Sequence, residues 1–321
     1  MTASPPNRRK QVLWWMVGWL MAVFFLVAFT RAFDVRAAWH PIAEAKLGWI
    51  AVALLANFAV LPLLTVQWRR LLPKARPIRW KILWECVTLS LSAMNTIPFG
   101  GGHAVTVALI AQRGGAGWPG ALSLLALEQL CDAFAKLALI LAALSIAPLP
   151  AGFRTAARVL TAMMVVGLGV LLWLAHHPAN GPATGWRAKW GQHLEVLKNP
   201  GLLSLAVGLS LAIKLCGLVA IYAVQRSLGV ELPFATTPLV LAAVTLATLV
   251  SISPSDLGVH EAATFGAYRL LGVAPGEAAA LGLVQHACFF LPIVGTGYAL
   301  TFWRMMTAPG TSLPRHPAKS K

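Results

Sequence analysis

The fold is decided by ISPSDLGVHE at residues 252–261, a polar run inside an otherwise apolar part of the chain. The uncharged stretch Leu232–Ser253 leads into this run. Pro254 and Gly258 interrupt a helix, because proline removes a backbone donor and glycine favours turns. Two short helices joined by a non-helical turn therefore fit this stretch better than one straight helix.

A second broken stretch, Cys86–Gln112, is interrupted by Pro98 and by Gly100, Gly101 and Gly102. A shift of 156 residues aligns the two breaks and gives nine identities in 37 positions, not counting the alanine pair Ala111 and Ala267. The identical pairs are Pro98 with Pro254, Gly102 with Gly258, Arg113 with Arg269, Pro119 with Pro275, Gly120 with Gly276, Leu125 with Leu281, Leu127 with Leu283, Gln129 with Gln285 and Phe134 with Phe290. This pattern predicts an internal repeat; the alternative is chance similarity between apolar helices.

The composition is that of a membrane protein. Of the 321 residues, 58% are hydrophobic and 11% are charged, whereas soluble domains are about 45–50% apolar and roughly 25% charged. These values exclude a soluble globular enzyme, a disordered chain and a disulfide-stapled secreted domain. They predict an all-α polytopic membrane protein. The four cysteines lie in apolar stretches without metal-binding spacing, so no metal, cofactor or disulfide is expected.

Six apolar segments are long enough to cross a bilayer. They are Val12–Thr30, Leu47–Val66, Gly120–Ala147, Val159–Ala175, Leu202–Val224 and Ala278–Trp303. If each broken stretch is a re-entrant hairpin, which enters and leaves on one side, each repeat crosses the membrane three times. Because three is an odd number, the second repeat then has the opposite orientation in the membrane. We therefore expect about six transmembrane helices and two re-entrant helical hairpins in an inverted repeat.

The expected boundaries follow from these segments. A single membrane domain spans residues 12–303, with repeat one at about 12–147 and repeat two at about 157–303. Residues 1–11 and 304–321 are basic and are predicted to form a cytoplasmic N-terminus and a cytoplasmic tail.

The net charge of +16 indicates orientation rather than nucleic-acid binding. With the N-terminus inside, seventeen basic residues fall in cytoplasmic segments and seven in segments on the other side. Because cytoplasmic loops are enriched in Lys and Arg, both termini are predicted to be cytoplasmic, in a multi-pass protein of the cell inner membrane. No basic stretch carries the interleaved aromatic residues of a nucleic-acid site, so no nucleic-acid partner is expected.

Ionisable residues inside apolar segments are candidates for function, because a charge at membrane depth is costly unless it is paired or hydrated. Glu128, Asp132 and Lys136 are spaced by four residues and share one helix face. Gln129 lies beside them and is the repeat mate of Gln285. Two interpretations stay open at this point: a structural ion cluster inside the bundle, or a polar lining for a lipid headgroup or a proton path.

The second broken stretch carries polar side chains that, with the helix ends exposed by the break, can bind a ligand. They are Ser255, Asp256, His260 and Glu261. Glu261 opens the second short helix, so it either caps that N-terminus or faces a ligand. Lys136 and Lys214 are the candidate ion-pair partners, Lys214 for Asp256 or Glu261.

Residues 252–263, ISPSDLGVHEAA, with the later Leu271-Gly272-Val273, resemble the proline–glycine–glutamate signature and trailing LGV of one membrane family. That family is the lysylphosphatidylglycerol synthase transmembrane-region (flippase-like) family. Ile97-Pro98 with Gly100–Gly102 is similar to its first hairpin motif, and the resemblance spans about residues 12–303. His260 stands where arginine is common in the family, and so do Gln129 and Gln285. The candidate site therefore holds fewer fixed cations than is common in the family, which leaves room for a lipid that is less charged than phosphatidylglycerol.

The resemblance implies a flippase or lipid-transport protein that moves a polar-headed lipid between leaflets. Aminoacyl-phospholipids, hopanoids and polyprenyl lipids or glycolipids are the candidate substrates, and lipid-biosynthesis enzymes are candidate partners. The chain is expected to be a stand-alone member without the aminoacyltransferase domain, with the hopanoid-associated type as one candidate, and not an enzyme. Two alternatives stay open: a lipid-modifying enzyme with Asp256, His260 and Glu261 as acid–base groups, or a non-catalytic partner of a lipid-synthesis complex.

Overall fold

The computed structural model describes residues 35–72, 78–97, 99–144, 199–248 and 253–307, together with isolated positions in 20–27 and 155–173. The predicted spans Val12–Thr30 and Val159–Ala175 lie outside the described residues apart from those isolated positions. Residues 1–11, most of the tail 304–321, and Pro98 also lie outside them. The boundaries of the two repeats therefore stay predictions.

The described chain is helical and contains no strand. Its helices are α1 (Val35–Ala43), α2 (Leu47–Phe58), α3 (Val60–Leu71), α4 (Trp80–Thr96), α5 (Gly101–Ala108), α6 (Gly117–Leu144), α7 (Pro200–Ser227), α8 (Thr237–Ala247), α9 (Val259–Leu270) and α10 (Pro275–Thr307). A π-helical turn, Leu109–Arg113, continues α5, and two 3₁₀ turns, Phe234–Thr236 and Pro254–Asp256, lie beside α8 and before α9.

Three described segments are long and apolar enough to cross a membrane: Leu47–Leu71, Pro200–Ser227 and Pro275–Thr307. They contain the predicted spans Leu47–Val66, Leu202–Val224 and Ala278–Trp303. Helix α6 is as long as α7, at 28 residues, but it carries the charged residues Glu128, Asp132 and Lys136. An all-α membrane protein is thus confirmed, while the number of crossings stays a prediction.

The first predicted break is a tight helical hairpin. Helix α4 ends at Thr96, and Ile97 is extended, as a residue before proline prefers to be. Phe99 and Gly100 then adopt left-handed conformations, with φ of 57° and 72°. Helix α5 folds back against α4 so closely that a Cβ on Gly102 would collide with the backbone of α4. We call α4, this turn and α5 hairpin one.

The second predicted break has the same form. Helix α8 ends at Ala247 and packs against α9. Ser255, Asp256 and Gly258 all have positive φ, at 59°, 51° and 82°. The 156-residue shift pairs Phe99 with Ser255 and Gly100 with Asp256, so it superimposes left-handed residues on left-handed residues. We call α8, this turn and α9 hairpin two.

Hairpin one begins and ends at one end of the helix bundle, which we call the Arg304 end. Glu85, in the second turn of α4, lies 3.6 Å from Nη2 of Arg113, at the close of the π-helical turn. The same carboxylate forms an ion pair with Arg304, near the end of α10. Both legs of hairpin one are therefore joined to α10 at this end.

Hairpin two begins and ends at the opposite end, which we call the Lys46 end. There the Lys46 N–H donates to the Ser227 carbonyl at 2.8 Å, so the start of α2 meets the finish of α7. Tyr222, on the last turns of α7, packs edge-on against Phe234 with ring centroids 5.5 Å apart. Phe234 immediately precedes α8. The two hairpins thus enter the bundle from opposite ends.

The 156-residue shift also relates the packing of whole helices. It places α2–α3 on α7, α4 on α8, α5 on α9 and α6 on α10. Helix α4 packs against α10, with Ser92 Oγ donating to the Ile293 carbonyl at 3.2 Å, and α8 packs against α6 through Leu239 and Ile140. Gln67, near the end of α3, donates to the Ala206 carbonyl near the start of α7 at 2.8 Å. The shift-related rods α2–α3 and α7 therefore run in opposite directions.

Candidate functional site

A cavity of about 590 Å³ lies where the turns of the two hairpins meet. Hairpin one contributes Phe99 and Gly100, and hairpin two contributes Ser255 and Asp256. The positive φ values of these four residues reverse the direction of the chain in each turn, and the turns themselves line the cavity. The polar side chains that complete the lining are Asn57, Asn95, His103, Gln129, Asp132, Lys136, Lys214, Thr245, Thr248, His260 and Gln285.

Asp132 is the centre of an ion cluster in the wall of this cavity. Its Oδ2 lies 2.8 Å from Nζ of Lys136, one turn along α6, and its Oδ1 lies 2.6 Å from Nζ of Lys214 on α7. The Asp132 side chain is 18% exposed. The cluster is therefore both paired and in contact with the cavity, and the two interpretations from the sequence describe the same residues. Lys214 thus binds Asp132, whereas the partner predicted from the sequence was Asp256 or Glu261.

Glu128 and Gln129 lie one turn before Asp132 on α6. Gln129 Nε2 donates to Glu128 Oε2 at 2.8 Å. Gln129 lines the cavity, whereas Glu128 is not among the described residues that line it. The repeat mate of Gln129, Gln285, also lines the cavity, from α10. The two glutamines that the repeat alignment pairs therefore reach one space from α6 and α10.

Glu261 caps the N-terminus of α9. Its Oε2 accepts a hydrogen bond from the Gly258 N–H at 2.7 Å, which satisfies one of the free backbone donors of a helix start. Its Oε1 lies 2.7 Å from Nδ1 of His286 on α10. Glu261 is 3% exposed and is not among the described residues that line the cavity. Of the three acid–base residues that a lipid-modifying enzyme would use, this one already has both oxygens engaged.

His260 lies between His286, which is the partner of Glu261, and the cavity. Its ring stacks on the ring of His286, with centroids 4.5 Å apart and planes at 22°, and also on the ring of Phe289, with centroids 6.3 Å apart. His260 lines the cavity although it is only 6% exposed. Glu261, His286 and His260 thus form a continuous buried row that ends at the cavity wall.

Sequence reasoning did not assign His286, Asn57 or Glu85 to a site. His286 follows the repeat residue Gln285, but sequence spacing gives no sign that it faces Glu261. Asn57 lies in an apolar helix, where its Nδ2 donates to the Cys288 carbonyl at 3.0 Å. Glu85 is buried at the Arg304 end, outside the described cavity lining. In the sequence, these three residues differ from their neighbours only in being polar residues within an apolar helix.

No group of three or more His, Cys, Asp or Glu side chains in the described part of the chain can hold a metal ion. Cys86, Cys131 and Cys288 are buried free thiols, and Cys216 is half-buried. The cavity therefore offers ion-paired side chains, imidazoles, amides and hydroxyls. Such groups bind a polar or charged headgroup through hydrogen bonds and salt bridges.

Comparison with known proteins gives one family. A family model described as "Lysylphosphatidylglycerol synthase TM region" matches residues 15–297. This match covers both hairpins and every residue of the cavity lining. No curated protein and no solved structure matches the chain.

Proposed function

The chain belongs to the lysylphosphatidylglycerol synthase TM region family, and we propose that it is a lipid-transport protein that moves a polar-headed lipid between the leaflets of a membrane. The family points to a role in the biology of membrane lipids. The observation that carries the transport proposal is the polar cavity at which the turns of both hairpins meet.

The cavity suits a headgroup. Its volume of about 590 Å³ falls within the roughly 300–1,000 Å³ of small-molecule sites. Apolar side chains such as Leu141, Leu211 and Leu215 are exposed on the outer surfaces of α6 and α7. Acyl chains can stay against such surfaces while the headgroup occupies the polar interior, since the desolvation of a headgroup by hydrocarbon is costly.

Two hairpins that enter from opposite ends would give a lipid headgroup access to the cavity from both sides of the membrane. We propose that hairpin one and hairpin two are re-entrant and that the two repeats are inverted. The support is threefold: the hairpins enter from opposite ends, the 156-residue shift superimposes their left-handed residues, and the related rods α2–α3 and α7 run in opposite directions. Inverted repeats with a site between them are the architecture of many alternating-access transporters.

We further propose that the Arg304 end is cytoplasmic and that the membrane is the cell inner membrane. The charge pattern assigned Arg113 and Arg304 to one side, and both bind Glu85. It assigned Lys46 and Arg226 to the other side, where the Lys46 N–H meets the last residue of α7. The agreement between the charge pattern and the grouping of helix ends supports this orientation.

The test is leaflet exchange in vesicles. The purified protein is reconstituted in phosphatidylcholine vesicles that carry a trace of a tail-labelled lipid, and a membrane-impermeant reductant measures how fast the inner-leaflet label becomes accessible. Labelled phosphatidylglycerol, phosphatidylcholine and a polyprenyl phosphate are compared. We expect faster exchange of at least one of them than in protein-free vesicles. Equal rates with and without protein for all three would refute the proposal.

A further inference from the structure

We propose that the row Glu261–His286–His260 binds one proton, and that this proton crosses the membrane together with an anionic, phosphodiester-bearing headgroup. This inference rests on the lipid-transport function proposed above and adds an energy source and a substrate class to it. It is carried by the position of the two imidazoles, which connect a buried carboxylate to the wall of the cavity.

One ring nitrogen in the row, Nδ1 of His260, is available to bind a proton or a ligand atom. Nδ1 of His260 is buried and has no hydrogen-bond partner in the described residues. His260 is 6% exposed, yet it lines the cavity. A buried polar nitrogen without a partner is costly in a fixed structure. A proton or a headgroup oxygen that arrives through the cavity supplies what this nitrogen lacks.

The geometry accommodates a single proton. The two rings are stacked with centroids 4.5 Å apart, so two imidazolium charges would repel each other strongly in a buried setting. One charge, in contrast, is stabilised by the Glu261 carboxylate, which lies 2.7 Å from Nδ1 of His286.

The charged groups around the row come from several elements. Asp256 lies in the turn of hairpin two, His103 on α5, Asp132 and Lys136 on α6, and Lys214 on α7. Thr245 of α8 and Thr248, directly after its end, also line the cavity, and neither side chain titrates. Two lysines and two aspartates cancel in the described lining while its histidines are neutral, and Glu261, at the buried end of the row, adds one negative charge.

A neutral lining explains why a proton is needed. A phosphodiester headgroup carries one negative charge, and without a proton this charge would enter uncompensated beside a row that already holds the Glu261 carboxylate. Protonation of the histidine pair adds one positive charge and balances it. By linkage, the proton and the headgroup then raise each other's affinity. One proton and one headgroup together carry no net charge, so this transport is electroneutral.

The test measures lipid and proton together. Wild-type protein is reconstituted in phosphatidylcholine vesicles that contain a trace of tail-labelled phosphatidylglycerol and an internal pH dye, with the membrane potential clamped. We expect exchange of phosphatidylglycerol to move protons in the same direction. A gradient of one pH unit should hold about a tenfold leaflet ratio of the label, because one proton across one pH unit is worth a factor of ten. Labelled phosphatidylcholine should exchange without proton movement.

Failure of this inference differs from failure of the function. Rapid phosphatidylglycerol exchange with no proton movement and no response to the gradient would overturn the proton proposal and leave lipid transport intact. Exchange that responds to membrane potential but not to the pH gradient would overturn it too. No exchange of phosphatidylglycerol would overturn both the substrate class and the proton coupling.

Two variants isolate the row. His260→Phe retains an aromatic ring against His286 and Phe289 but removes the imidazole that connects the row to the cavity, so the tenfold ratio should fall to about one. His40→Gln is the matched control, because His40 is an exposed histidine on α1, and it should behave like wild type. If His260→Phe does not fold, the wild-type proton measurement alone decides.

Discussion

Phe99 and Ser255 lie 156 residues apart and have almost the same unusual backbone conformation, with φ of 57° and 59°. Neither is glycine, and non-glycine residues in the left-handed region cost of the order of 1–3 kcal/mol unless their surroundings hold them there. Both residues line the same cavity, from opposite hairpins. The shared conformation therefore marks the two places where the chain turns back toward the centre of the protein.

The close return of hairpin one depends on a glycine. In Gly102→Ala, the new Cβ would meet the backbone of Met94 and the carbonyl of Ala93. Because backbone cannot move aside as a side chain can, we expect the free energy of unfolding to fall by about 1–3 kcal/mol. Thermal unfolding in detergent measures the change. Gly48→Ala is the control, since nothing lies within 4 Å of its added Cβ and alanine favours a helix; a similar loss in both variants would contradict the prediction.

Asp132 should be essential for transport. Asp132→Asn removes the charge that holds both Lys136 and Lys214, so two ammonium groups are left unpaired at the cavity. We expect leaflet exchange to slow by about tenfold or more, since a loss of 1.4 kcal/mol already gives that factor. The protein should still reach the membrane.

The matched control for Asp132 is Glu44→Gln, which removes an exposed acidic partner of His40 on α1. Exposed ion pairs contribute little, so this variant should exchange lipid at the wild-type rate. Normal exchange by a folded Asp132→Asn protein would mean that the ion cluster only supports the fold.

Glu85 should be essential for stability at the Arg304 end. Glu85→Gln leaves Arg113 and Arg304 without their shared carboxylate, whose side chain is 8% exposed. We expect a loss of about 2–3 kcal/mol, because removal of one partner from a buried ion pair leaves the other charge uncompensated. Thermal unfolding is the measurement. Glu231→Gln, with a side chain 87% exposed, should unfold as wild type does, and an equal effect of the two substitutions would refute the role of burial.

Glu261 should act through its acceptor oxygens. Glu261→Ala removes the acceptors of both the Gly258 N–H and the His286 imidazole, and we expect a loss of about 1–3 kcal/mol for the unsatisfied donors. Glu261→Gln retains one oxygen that can accept from the Gly258 N–H, so it should lose less. Hydrogen exchange of the amides at the start of α9 reports the difference, and equal protection in both variants would speak against capping.

The breaks in the helices could be predicted from the sequence, and the partners across helices could not. Proline and glycine act on their own backbone, so residues 98–102 and 254–258 indicate two hairpins without any knowledge of packing. The i, i+4 spacing likewise predicts that Lys136 reaches Asp132. Lys214, in contrast, has its partner on another helix, and the choice of Asp132 over Asp256 depends on how α6 and α7 pack. The same holds for His286 and Glu261.

The two hairpins are anchored in different ways at their bases. At the Arg304 end, Arg113 shares the Glu85 carboxylate with Arg304 of α10. The repeat mate of Arg113 is Arg269, which donates to the carbonyl of Val273, four residues further along its own loop, at 2.5 Å. Among the described residues, one arginine therefore ties its hairpin to a distant helix, and the other closes a local turn. Hairpin one is thus held at its base by an ion-pair link to α10 that hairpin two lacks there in the described part of the chain, so we expect a force that spreads the bundle to displace hairpin two first.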